Sequence, residues 1–86
     1  MAKKRERLEV IYDILKVIQD HGNSVKPTRL QHYSNLSPQM YKEYIEELLQ
    51  KGFIEHKDGA YSLTIKGFEF LQKYRLITEF IEGFGL

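Results

Sequence analysis

The sequence predicts a mainly α fold with one small β-hairpin and an extended helix at its C-terminal end. Three observations carry that expectation. Apolar residues recur at helical spacing through residues 4–21 and again through 64–82. The stretch LSPQMYKEYIEELLQKGFI, residues 36–54, has both ends of a helix written into it. Between that stretch and the last helix, FIEH and AYSL flank a KDG turn and read as two short antiparallel strands.

The first helix is expected over residues 4–21, closing at Gly22 and Asn23. Its apolar residues form two neighbouring stripes, Leu8, Ile11, Leu15 and Ile18 on one and Val10, Ile14 and Val17 on the next. A lone small domain needs only one such stripe, so the second must face the last helix or another subunit. Lys3, Lys4, Arg5 and Arg7 crowd its start, where the helix dipole prefers negative charge. They are expected to form a mobile arm, which either contacts phosphates or only keeps the protein soluble.

Ser24 and Val25 are placed to form a short extended piece, and Pro27 to Ser34 a short second helix with Leu30 and Tyr33 inward. The third helix begins at Ser37, whose hydroxyl can accept from a first-turn amide, with Pro38 at the position where a missing N–H costs nothing. Gly52 supplies a left-handed stop. Within it Tyr41, Ile45 and Leu48 share one face, leaving Gln39, Lys42, Glu43 and Glu46 elsewhere. Two short helices a few residues apart, over residues 27–51, have the sequence form of a helix-turn-helix.

In the hairpin, expected over residues 53–63, Ile54, Tyr61 and Leu63 alternate with polar neighbours, and Lys57 sits with Gly59 at the turn. Phe53 is placed to pack back on Leu48. Thr64 caps the last helix, where Phe68 and Leu71 can close the core. A second set, Phe70, Tyr74, Ile77, Ile81 and Phe84, steps by four, three, four and three, the spacing of a helix-pairing seam. Leaving such side chains wet costs roughly 1.5–3 kcal/mol each. The seam is therefore expected to be a dimer interface; its rival is a pairing with Val10, Ile14 and Val17 of the same chain.

The pieces LSPQMYKEYIEELLQKGFI and GAYSLTIKGFEFL resemble those of the small archaeal winged helix-turn-helix proteins, a group of ten-kilodalton chromatin-type DNA binders and related transcriptional regulators. The likeness extends from about Val10 to Tyr74. It implies a winged helix-turn-helix with an extended C-terminal helix, a third strand at Ser24 and Val25 beside the wing, and duplex DNA binding as a homodimer.

Composition agrees with one domain over residues 1–86. The chain has 13 lysines and arginines against 12 acidic residues, a net charge of only +1, so charge distribution matters more than its sum. Cations gather at the start and in the helix-turn-helix; acid gathers at Glu43, Glu46 and Glu47 and at Glu79 and Glu82. There is no cysteine, hence no disulfide framework or thiolate metal site. No apolar run reaches the length of a membrane span and no secretory signal opens the chain, so a cytoplasmic, nucleoid-associated protein is expected. His21, His32 and His56 are scattered, and no catalytic, metal or cofactor constellation is present.

The candidate DNA contacts are Thr28 and Arg29 at the start of the second helix, with Lys26 beside them for phosphate. Ser37, Gln39, Met40 and Lys42 follow on the leading turns of the third helix, and Lys57 on the wing. Gln39 can pair with adenine and Met40 can touch a thymine methyl, though Met40 and Tyr44 also fit a packing role. Two other functions remain open: a protein-interaction scaffold using the acidic half of the third helix, and a sequence-tolerant chromatin protein. The sequence does not name an operator or a small-molecule effector.

Overall fold

The computed structural model describes residues 6–86. Four helices and one hairpin follow in the order α1 (Arg7–Asp20), α2 (Pro27–Ser34), α3 (Pro38–Gln50), β1 (Ile54–Lys57), β2 (Ala60–Leu63) and α4 (Ile65–Gly83). This is the arrangement expected of a winged helix-turn-helix. The expected helical start at Lys4, and the arm residues Lys3, Lys4 and Arg5, lie outside the described residues.

Helix α1 is the spine of the core. Val10, Ile11, Ile14, Leu15 and Ile18 are all buried, so both of its apolar stripes are largely covered within the chain. Leu8 departs from its stripe and is 53% exposed. The helix stops at Gly22, φ +72°, where the Asn23 amide donates to Ile18 O at 2.9 Å and the Gly22 amide to Gln19 O at 3.2 Å. That pair of bonds is a Schellman stop, and glycine supplies the left-handed residue it requires. Asn23 then accepts from the Leu63 amide through Oδ1 at 2.7 Å, tying this corner to β2. Val25 exchanges two backbone hydrogen bonds with Tyr61, at 3.1 and 2.8 Å, and so adds the expected third strand as a single bridge.

In α2, Leu30 is buried but Tyr33 is not; it is 53% exposed. At about 100° per residue Ser34 lies nearer in angle to Leu30 than Tyr33 does, and the smaller side chain turns inward. Its hydroxyl donates to Gln31 O at 2.8 Å and accepts from the Leu36 amide at 3.4 Å. Tyr33 lies instead beside the rings of His21 and His32, at 4.9 and 5.4 Å.

Helix α3 has the caps its sequence specifies. Ser37 Oγ accepts from the Met40 amide at 3.2 Å, and at the other end Phe53 N donates to Leu48 O at 2.9 Å across Gly52, φ +79°. Tyr41, Ile45 and Leu48 face the core. The buried Tyr41 hydroxyl donates to Pro27 O at 3.0 Å, fixing the start of α2 against α3. Burial, and secondarily Tyr61, pushes its pKa up to about 12.

The hairpin is tighter than its sequence suggests. Lys57 pairs with Ala60, so the turn is Asp58-Gly59 alone, with φ of +53° and +75°. Two left-handed residues are what a type I′ turn needs to match strand twist. Ile54 pairs with Leu63 on the core side.

Helix α4 starts at Thr64, whose Oγ1 accepts from the Gly67 amide at 3.2 Å and donates to Gly52 O at 2.6 Å. Leu71 is buried in the core, while Phe68, expected beside it, is 40% exposed. Phe68 is three residues before Leu71, about 60° off its direction, and flanks a cleft with Lys16 and Gln19 instead.

Candidate nucleic-acid interface

The phase of α3 decides which of its residues can meet a ligand. With Tyr41, Ile45 and Leu48 turned inward, Ser37, Gln39, Met40 and Lys42 are all exposed on its leading turns. Gln39 and Lys42 make no side-chain hydrogen bond or ion pair among the described residues. A long polar side chain held only at its helical stem is available to a groove. Tyr44 is half-buried beneath the Arg7 guanidinium, 6.0 Å from its ring centre, which is a packing position.

At the start of α2, Lys26, Thr28 and Arg29 are exposed. Thr28 joins two adjoining concavities. One, of 660 Å³, runs from Thr28 through His32 and Asn35 to Ser37, linking the leading ends of α2 and α3. The other, of 420 Å³, is lined by His21, Ser24, Lys26 and Arg29. The helix-turn-helix face is thus continuous from Arg29 to Ser37. Gln31, His32 and Asn35 belong to it although their sequence positions gave them no ligand-facing role. The three- and four-residue steps from Thr28 to Gln31 and His32 were the available signal.

On the wing, Lys57 is exposed beside the turn, but Glu55 and Asp58 are exposed too, so the tip is not strongly cationic. The His56 and Tyr61 rings lie 4.9 Å apart across the strand pair.

Charge on the far half of α3 is partly internal. Glu47 bonds Arg7, and also Lys51 at 2.7 Å. Arg7 is therefore a helical residue tied to α3 rather than part of a free arm. Glu43 and Glu46 remain exposed.

The expected seam on α4 divides into two parts. Phe70 lies edge-on to Phe53, with centroids 5.7 Å apart, and Tyr74 stacks on Tyr12 at 4.7 Å. Phe70 and Tyr74 also stack on each other at 5.8 Å, giving an aromatic ladder from α1 through α4 to the end of α3. Burial, followed by Glu9, Glu6 and Asp13, raises the Tyr74 pKa from its ordinary value. Both residues are half-buried by pairing within the chain, though the ring contacts are not with the Val10, Ile14 and Val17 stripe expected for it. It uses Tyr12, a position outside both apolar stripes of α1. Beyond the ladder, Ile77 is 58%, Phe80 63% and Phe84 70% exposed, and Leu76 and Ile81 are exposed with them.

Among the described residues no group of three or more His, Asp or Glu side chains is arranged to hold a metal ion. No helix among them is long and apolar enough to cross a membrane.

Comparison with known proteins gives a consistent result. Uncharacterized protein MJ0290 of Methanocaldococcus jannaschii is 36% identical over 78 residues, covering 86% of this chain and 36% of that protein. Uncharacterized protein MJ0287 of the same organism is 36% identical over 64 residues, covering 74% of this chain and 64% of that protein. The chain thus spans about a third of the first relative and just under two thirds of the second. A crystal structure from Pseudomonas aeruginosa PA01, of a protein provisionally described as a transcriptional regulator, superposes with a TM-score of 0.70 at 18% identity. It covers 91% of this chain and 62% of that one, and shows the shared fold. A family model described as winged helix-turn-helix matches residues 4–82. With nearly the whole chain matched, and its helices, bridge strand and hairpin in the order that description requires, this protein belongs to the winged helix-turn-helix family.

Proposed function

We propose that this chain binds duplex DNA as a homodimeric transcriptional regulator, acting in the cytoplasm on the nucleoid. The observation that carries the reading is the capped leading end of α3, where Ser37, Gln39, Met40 and Lys42 stand clear of the protein's own interior. An α-helix presented in this way fits the major groove, with its first turns against base edges. Gln39 and Met40 face bases, while Lys42, Thr28 and Arg29 hold phosphates, helped by Lys26. Lys57 reaches flanking backbone. The family and the regulator-like fold support this assignment, and with few strong bidentate readers its sequence preference is modest. No cofactor enters the scheme.

Fluorescence anisotropy on a random-sequence duplex across a salt series tests it. Binding at low salt should weaken with a log–log slope of about 0.9 per phosphate neutralised. No binding at micromolar protein would overturn the reading in favour of a protein-interaction scaffold, for which exposed Glu43 and Glu46 are the best surface. Selection of bound sequences from a random pool then separates a regulator, which yields a palindrome, from an architectural protein, which yields none.

A further inference from the structure

Each of the two concavities on the helix-turn-helix face contains a histidine and no carboxylate. The one of 660 Å³ holds His32 and the one of 420 Å³ holds His21. Of the chain's 12 acidic residues, none lines either hollow. Two of the three histidines therefore sit among Lys26, Thr28, Arg29 and Ser37, where phosphate is expected.

His21 closes α1, with Nδ1 lying 2.8 Å from Val17 O. A carbonyl only accepts, so Nδ1 carries the hydrogen and Nε2 is the nitrogen left to take a proton. Protonation there keeps the bond to Val17. Asp20, next to His21 in the chain, is engaged by Lys16 at 2.6 Å. From α2 and the segment before it, His21 is faced by Arg29, Lys26 and the Tyr33 ring, 4.9 Å from its own. His32 is exposed and makes no side-chain hydrogen bond among the described residues. The Tyr33 ring lies 5.4 Å from it, and Thr28, Asn35 and Ser37, all uncharged, share its concavity. Tyr33 is thus a fixed neighbour of both imidazoles.

We infer that His21 and His32 are phosphate ligands of this face, each taking a proton from solvent as duplex DNA binds, so that affinity rises as pH falls through the neutral range. The inference rests on the DNA-binding reading and adds its regulation. Imidazole is the side chain whose charge changes in that range. Phosphate entering either hollow puts an anion beside the imidazole, and an opposite charge a few ångströms away favours the protonated form. By linkage, binding that takes up protons is strongest at low pH and weakens as pH rises. Against a net charge of only +1, two added charges on the binding face change its field substantially. His56 is the internal control. It lies on the wing, in neither concavity, with its ring 4.9 Å from that of Tyr61 and the exposed carboxylates of Glu55 and Asp58 within two residues.

Fluorescence anisotropy of the full chain on a random-sequence duplex, at pH 6 and pH 8 in low salt, tests the assignment. The unaltered protein should bind about tenfold more tightly at pH 6, and its salt slope there should be steeper by about 0.9 for each histidine engaged. Changing His21→Gln and His32→Gln together should bring the two affinities within about twofold of each other, whereas His56→Gln should leave the ratio as it was. His32→Lys carries its charge at both pH values and should bind about threefold more tightly than the parent at pH 8. If the unaltered protein binds at neither pH, the DNA-binding reading falls and this inference with it. If it binds equally at both, if the ratio survives the double glutamine change, or if it vanishes in His56→Gln, His21 and His32 are not the ligands and the DNA-binding reading stands without them.

Discussion

A side chain on Gly67 would run into the carbonyl oxygen of Phe53, so the first turn of α4 can lie against the end of α3 only because residue 67 is glycine. The same carbonyl accepts from the Thr64 amide at 3.1 Å, and Lys66 reaches Lys51 O close by. The stop of α3 and the start of α4 are in effect one joint, and the KGFI and LTIKG pieces of the sequence are its two halves. Through that joint the orientation of α3, with its exposed leading turns, is set relative to α4.

Gly67→Ala should therefore destabilise the fold, despite alanine's better helix propensity of about 1 kcal/mol. The added methyl meets rigid backbone, and overpacking of this kind costs about 1–3 kcal/mol. The midpoint of urea unfolding should fall with the slope unchanged. An unchanged midpoint would mean that the joint opens without loss.

Tyr41 should make the protein sensitive to alkali. Its pKa is pushed from the ordinary 10.0 to about 12, mainly by burial. The folded state keeps this proton at pH values where the unfolded chain has lost it. The stabilisation is complete below pH 10 and is lost as pH rises through the folded value near 12. Tyr41→Phe loses the bond to Pro27 O, costing about 1 kcal/mol at neutral pH, but should flatten the decline between pH 10 and 12. Urea unfolding at pH 8, 10 and 12 measures both effects; parallel pH profiles for the two proteins would refute the assignment.

Helix ends were legible in the sequence because their causes are local. Ser37, Thr64, Gly22 and Gly52 each fix one turn through contacts within a few residues, and all four lie where the sequence put them. The exposure of Gln39 and Lys42 followed in the same way from the phase of Tyr41, Ile45 and Leu48. What periodicity could not report is which neighbour covers a stripe. Phe70 and Ile77 read alike, yet Phe53 and Tyr74 cover one while the other is left 58% exposed among the described residues. Tyr33 and Ser34 show a second limit, since in a short helix a small angular offset outweighs side-chain hydrophobicity. The concavity joining Thr28, His32 and Ser37 depends on how α2 crosses α3, and the Tyr41 bond to Pro27 that helps set the crossing spans 14 residues.

The candidate DNA face predicts two kinds of defect. Arg29→Ala or Lys42→Ala should weaken binding similarly on every sequence and lower the salt slope by about 0.9, as one phosphate contact is lost. Gln39→Ala should instead change the ranking of sequences, with about 1–3 kcal/mol less discrimination at the base it reads. Anisotropy on the preferred and a scrambled duplex separates the two. If all three variants bind both duplexes as the parent does, α3 does not enter the groove.

The divided seam on α4 predicts that association and stability can be changed separately. Phe80 is 63% exposed, and its one ring contact among the described residues is Phe84 on the same helix. Phe80→Glu should raise the dimer dissociation constant at least tenfold, because a carboxylate would have to be buried without a partner, while leaving the stability of the monomer within about 0.5 kcal/mol. Tyr74→Ala removes the stack on Tyr12 and Phe70 and should lower the unfolding free energy of the monomer itself by about 1–3 kcal/mol. Sedimentation and urea unfolding of the two variants, the latter below the dimer dissociation constant, make the comparison. Should Phe80→Glu sediment like the parent, the exposed half of α4 is not where two copies meet.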